Sequence, residues 1–235
     1  MPYTVFHCVS RYTMNSLRLL YGIPDHKLTV VYNGVDYDFR NPTAIDEEEI
    51  VQWKKENSWN GRFIVLYYGH AGKSKGLDSL IDCIPQMIKY DPSVLFVFNL
   101  IDSKRREKVL QRLHFLEKFW FARQIQLFEW LDKKDLRTMV AACDVVVAPS
   151  LSEGFGSVHT ETVAMKKPLV TTYVASLPEV VWWTTLFVQP DSCKQILDAI
   201  LTIKENQQDI RTLPVKTFSW DDTVTQLEEI YEGIS

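Results

Sequence analysis

The chain is 235 residues long, 46% apolar and 24% charged, with a formal net charge of −4 at neutral pH. That is the composition of a globular protein with room for a sizeable core, and the acidic balance excludes a generally basic nucleic-acid binder, so no nucleic acid is expected as a partner, although a local basic pocket remains compatible with it. No apolar run approaches the roughly 18 residues a membrane-spanning helix needs, and no basic segment leads into an apolar core at the start as a leader would; peripheral membrane contact stays open.

Taken in order, Val5–Val9 reads as a strand, and Ser10 is placed to cap a helix over 11–21 that ends at Gly22 and Pro24. Residues 28–32 read as a second strand, with a turn expected at Asn33-Gly34. The acidic run 46–49 suits a solvated helix start, and Trp53 and Trp59 suit packing anchors. From Phe63 the pattern turns regular. Strand-type runs at 63–68, 94–98, 125–128, 143–148, 169–172 and 186–188 alternate with helical spacing at 77–88 (interrupted by Pro85), 104–120, 133–143, 158–165 and 196–203. Such alternation implies an α/β fold, a parallel sheet of about six strands with helices on both faces. Ligands of such sheets sit beyond the carboxyl ends of the strands, so the loops after Tyr68, Phe128 and Ala148 are expected to share one cleft. Ser219 is placed to cap a last amphipathic helix carrying Val224, Leu227, Ile230 and Tyr231. Cys8, Cys83, Cys143 and Cys193 lie far apart with no Cys-x-x-Cys pair, which argues against a metal site or disulfide framework and for reduced thiols in a cytoplasmic protein.

The chemistry concentrates in residues 149–165, "PSLSEGFGSVHTETVAM", which follow a strand and open a helix. Gly154 and Gly156 let backbone approach a ligand with no Cβ in the way, and the unpaired N–H groups at the helix start, from Ser157 and Val158 on, form an anion site suited to phosphate. Glu153 and Glu161 bracket the loop. Their charge opposes phosphate, so they serve better as acceptors for hydroxyls. A ligand with phosphates in the middle and hydroxyl-rich groups at both ends, a nucleotide sugar, satisfies all of this. The loop after Tyr68 adds Gly69, His70, Lys73 and Lys75 among three glycines, in neither Walker nor Gly-x-Gly-x-x-Gly order.

Two glutamates with seven residues between them, Gly-Phe-Gly after the first, and the flanking "CDVVVAPS" and "AMKKPLVTT" resemble the donor-site signature of retaining glycosyltransferases of the GT-B fold, the group 1 or family 4 type. The resemblance implies that the Rossmann-like C-terminal half of such an enzyme spans 35–235, ending in a helix that crosses back, and that 1–34 are the tail of the N-terminal acceptor domain with the linker. Only one of the family's two halves fits this length, which implies a missing N-terminal domain or a partner chain, and donor binding with little transfer by the chain alone. By the same resemblance Glu153 contacts the donor sugar, Glu161 the ribose, and the amides of Gly154, Phe155, Gly156, Ser157 and Val158 the sugar and diphosphate. Lys75 matches the family's phosphate-binding lysine; the family's arginine has no counterpart, with His70 near its position and Lys73 as a substitute. Glu153 and Lys75 are the candidate catalytic residues, Trp130 or Leu131 would flank the base, and neither a cofactor nor a metal is required. The sugar or glycan acceptor stays open. The alternatives are a non-catalytic nucleotide-sugar-binding module, a subunit of a split glycosyltransferase, and, less favoured, a sugar-nucleotide epimerase.

Overall fold

Alternation along residues 63–70 decides the layering of the molecule. Ile64, Leu66 and Tyr68 enter one buried cluster and Val65 and Tyr67 another, as a strand covered on both faces requires. The computed structural model describes residues 5–101, 105–129, 131–206 and 210–233. Its elements are β1 (Phe6–Cys8), α1 (Arg11–Tyr21), β2 (Leu28–Val30), α2 (Glu47–Glu56), β3 (Phe63–His70), α3 (Leu77–Tyr90), β4 (Val94–Ile101), α4 (Arg106–Leu116), β5 (Ile125–Phe128), α5 (Lys133–Ala142), β6 (Val145–Ala148), α6 (Ser157–Ala164), β7 (Leu169–Thr172), α7 (Leu177–Val180), β8 (Thr185–Val188), α8 (Cys193–Asn206) and α9 (Trp220–Glu232).

Six strands form one sheet in the order β5-β4-β3-β6-β7-β8, every neighbour parallel. This is the α/β arrangement expected from the alternation. Residues of α3, α4 and α8 build the cluster on one face; those of α5 and α6, with Trp59, Phe155 and Phe218, build the other. Strand order reverses between β3 and β6, and a crevice opens there at the carboxyl ends.

Residues 6–30 make a separate two-stranded parallel sheet, β1 on β2, around Cys8, Ile23 and Leu28. Ser10 Oγ accepts the Thr13 amide at 3.1 Å and Gly22, at φ +64°, closes α1. This segment is held to the large sheet through Glu179 of α7. Its carboxylate accepts the amides of Arg11 at 2.8 Å and Tyr12 at 3.2 Å and the Tyr32 hydroxyl at 2.5 Å. Burial together with Glu179 pushes the Tyr32 phenol up to about 12.

Two expectations are corrected. Asn33-Gly34 is not a turn: the chain runs on there, and Gly34 is small because a Cβ would sit 2.4 Å from the Trp220 ring. The strand at Phe63 runs through His70, which pairs with Ile101, so His70 ends a strand rather than sitting in the loop. The apolar residues of α9 are not all covered. Of its residues Thr223 is buried, while Trp220, Val224 and Tyr231 are about half exposed or more. The helix instead lies along the linker, with Thr223 Oγ1 donating to the Tyr32 carbonyl at 2.8 Å.

Candidate functional site

The site is assembled where two loops are sewn together. Beyond β6, the amides of Leu151 and Ser152 donate to the Ser74 carbonyl at 2.7 and 3.3 Å. Gly76, at φ +62°, lets the loop after β3 come this close. The stitch sets Lys75 opposite Glu153, with Lys75 Nζ 2.7 and 2.9 Å from the two carboxylate oxygens. Ser150 Oγ donates to Glu153 Oε1 at 2.8 Å, and Ser176 Oγ holds the Glu153 carbonyl at 3.1 Å. The Glu153 side chain is only 9% exposed, so its ionised form is paired and hydrogen-bonded as burial demands.

Past Glu153 the chain turns into α6. Gly156 takes φ +89° as its N-cap residue, and no side chain caps the helix. The first N–H groups, those of Ser157 and Val158, are thus the unsatisfied donors of a helix start. Behind them His159 is buried. Its Nε2 lies 3.0 Å from the Ala148 carbonyl, which can only accept, so Nε2 carries the proton and Nδ1 is left without a partner. Burial lowers its pKa below the usual 6.5 against the opposing pull of Glu153. In the unfolded chain this histidine protonates below pH 6.5 while the folded one resists, so its contribution to stability is present above pH 6.5 and is lost as pH falls through the lowered value. Its slope can reach about 1.4 kcal/mol per pH unit. Chemical denaturation of His159→Gln between pH 5 and 7.5 should show that slope removed; an unchanged slope would mean another group carries it.

One turn further into α6, Glu161 forms an ion pair with Arg40, 2.6 Å between Oε2 and Nη2. Desolvation raises the Glu161 pKa and Arg40 opposes the rise. A cavity of about 570 Å³ connects the whole set. From the expected residues it is lined by Gly69, His70, Lys75, Glu153, Phe155, Gly156, Ser157, Val158 and Glu161. The two glutamates therefore open on the same space, and the helix tip lies between them.

Other expected residues fall elsewhere. Lys73 is exposed on the turn 73–75 and does not line the cavity. Gly154 lies against the N-terminal segment: a Cβ would be 3.5 Å from Val9, and Thr13 Oγ1 lies 3.5 Å from its carbonyl. Leu131 packs on the core beneath α5. Trp130 lies outside the described residues. The cleft meets the β5 end through Lys133 and Leu136 of α5 instead. Arg40, Val9, Asn33, Ile101 and Ser150 also line it and were missed. Only Ser150, inside the recognised motif, had a signal; Arg40 stands in a stretch with no motif of its own. Among the described residues no cluster of three or more His, Cys, Asp or Glu is placed to hold a metal ion, and no helix is long and apolar enough to cross a membrane.

An open parallel sheet whose switch-point crevice holds a bare helix tip, a lysine and flanking acids defines an α/β protein of the Rossmann-like class with a crevice suited to an anion. The chain belongs to the glycosyl transferases group 1 family, whose model matches residues 49–214. It is 29% identical over 240 residues to an uncharacterized glycosyltransferase of Methanocaldococcus jannaschii, MJ1178, covering 97% of this chain and 59% of that protein. It is 22% identical over 239 residues to the phosphatidylinositol N-acetylglucosaminyltransferase GPI3 subunit of Saccharomyces cerevisiae, covering 97% of this chain and 50% of that one. The chain thus spans between half and two thirds of the length of these relatives. Its fold superposes on Anabaena Alr3699/HepE, solved in complex with UDP-glucose, with a TM-score of 0.85 at 18% identity, covering 98% of this chain and 64% of that one. At that identity the likeness speaks for the fold, which is that of a GT-B half.

Proposed function

We propose that this chain is the nucleotide-sugar-binding half of a retaining glycosyltransferase, moving a sugar from a nucleoside diphosphate to an acceptor hydroxyl. In the reaction the bond from the sugar's anomeric carbon to the diphosphate oxygen breaks, the bond to the acceptor oxygen forms and the acceptor hydroxyl's proton passes to the departing diphosphate, on which negative charge grows as the first bond breaks. Lys75 and the amides of Ser157 and Val158 stabilise that charge. Glu153 orients the sugar and Glu161 the ribose. The observation that carries this reading is the single cavity lined by both acids, Lys75 and the uncapped start of α6. The UDP-glucose held by a protein of the same fold supports the ligand class. No cofactor beyond the donor enters the reading, and four free cysteines fit a cytoplasmic setting. A division near residue 34 is supported by the separate sheet of β1 and β2.

A second reading, a subunit that completes its site with another chain, is favoured by one observation: a relative matched over 97% of this chain is itself named a subunit. Both readings require donor binding. Calorimetry with UDP, GDP and ADP and their sugars should find one nucleoside diphosphate that binds, and Glu161→Ala should weaken it by roughly tenfold or more, the worth of a hydrogen bond to a charged acceptor. No binding by any of the three would sink both. Robust sugar transfer by the chain alone would refute both, and transfer that appears only on adding a separate chain that supplies the other half would mark the subunit.

A further inference from the structure

We propose that Arg40 is a positioning residue that ties up one oxygen of Glu161 and leaves the other as the ligand's acceptor, so that this pair sets the site's preference for a ribose over a deoxyribose. The inference rests on the nucleotide-sugar reading above and adds a residue to it that belongs to neither recognised loop.

Arg40 comes from the linker, outside the sheet. Its backbone is fixed by its own amide donating to the Asp36 carbonyl at 2.9 Å and by the Phe39 amide donating to Asp36 Oδ1 at 3.0 Å. The side chain is 9% exposed. Its guanidinium lies 5.1 Å from the centre of the Phe39 ring, reaches the Met165 sulfur with Nη1 at 4.0 Å, and holds Glu161 Oε2 with Nη2 at 2.6 Å. A group enclosed in this way has its charge answered by a carboxylate at contact distance. It is therefore a poor stand-in for a phosphate-binding arginine and a good fixture for the acid it touches.

Glu161 needs such a fixture. Its own side chain is 29% exposed, with Asp36 nearby raising its proton affinity and Arg40 and Lys133 lowering it. Tyr68, which also faces it, bonds through its hydroxyl with the Val158 carbonyl and the Thr162 hydroxyl rather than with the acid. Among the described residues Oε1 takes no hydrogen bond, and Glu161 lines the cavity, so with Oε2 held by Arg40 the second oxygen is left to accept from a ligand. An acceptor of that kind discriminates sharply, because a ligand lacking the hydroxyl strands a desolvated charge. Without Arg40 the carboxyl is free to rotate and, being buried beside Asp36, to keep its proton to higher pH.

The test uses whichever of UDP, GDP and ADP binds the wild-type chain, together with its 2′-deoxy counterpart, titrated calorimetrically at pH 6, 7 and 8 into wild type, Arg40→Gln and Arg40→Lys, with thermal unfolding of each in the absence of nucleotide. The wild type should favour the ribonucleotide by about tenfold at each pH. Arg40→Gln should bring the ratio to within about twofold at pH 6 and recover part of it as pH rises, because the carboxyl freed from Arg40 holds its proton more tightly. Arg40→Lys, which keeps the charge, should retain most of the preference, and it decides the matter if Arg40→Gln does not fold. A change in ratio marks positioning; a merely structural residue would weaken both nucleotides alike. Equal weakening of both at every pH, or a wild type indifferent to the 2′-hydroxyl, overturns the role of Arg40 and leaves the donor site standing. A wild type that binds no nucleotide overturns the function itself, and this inference with it.

Discussion

Gly76→Ala is expected to destabilise the fold by about 2–5 kcal/mol, combining the left-handed backbone penalty of about 1–2 with an overpacking cost of about 1–3. The Cβ would sit 1.8 Å from the Pro149 carbonyl oxygen, a backbone atom with nowhere to move. That carbonyl belongs to the loop whose amides grip Ser74, so the clash also pulls Lys75 away from Glu153. The matched control is Gly22→Ala. Gly22 has nearly the same φ, +64°, with nothing within 4 Å of a Cβ, and should lose only about 1 kcal/mol. Urea unfolding of the two variants measures the difference. If they lose the same amount, the close approach of the loops is not real.

Lys75→Met should weaken nucleoside diphosphate binding by about a hundredfold, close to 3 kcal/mol, because it removes a cation that lines the cavity beside the helix tip. The ion pair makes a second, opposite expectation. In the free protein Lys75 is engaged twice by Glu153, and a diphosphate has to compete with that carboxylate. Glu153→Gln should therefore bind the bare nucleoside diphosphate a few-fold better than wild type, yet lose the added affinity that the attached sugar provides. Calorimetry with the diphosphate and the nucleotide sugar side by side separates these effects. If Glu153→Gln weakens the bare diphosphate, Glu153 does more there than restrain the lysine.

Much of this site could be read from residues alone because its determinants are local. A strand, two glycines and a helix start lie within one stretch, and the amide donors of Ser157 and Val158 follow from where α6 begins. Strand and helix periodicity likewise pointed to the six-stranded sheet, since both faces are buried and the strands are short runs dominated by apolar residues. What escaped depends on contacts distant in sequence. Arg40 meets Glu161 across more than a hundred residues and carries no periodic or motif signal. Four-residue α7 is too short to show a helical period. Gly34 carries a turn-former's signature, but its size serves the approach of Trp220, which no local rule can see. The apolar stripe of α9 was legible as periodicity, which registers a stripe without saying what covers it.

Glu179 has a mechanical consequence for the sugar end of the cleft. With two amides and a phenol already on its carboxylate, it is spent as a fastener and has little left to offer a ligand. Three residues earlier Ser176 grips the backbone of Glu153. Any swing of residues 6–32 must therefore either tear three bonds from Glu179 or drag α7 with it, and α7 is then a lever whose short arm ends on the acid that would orient the sugar.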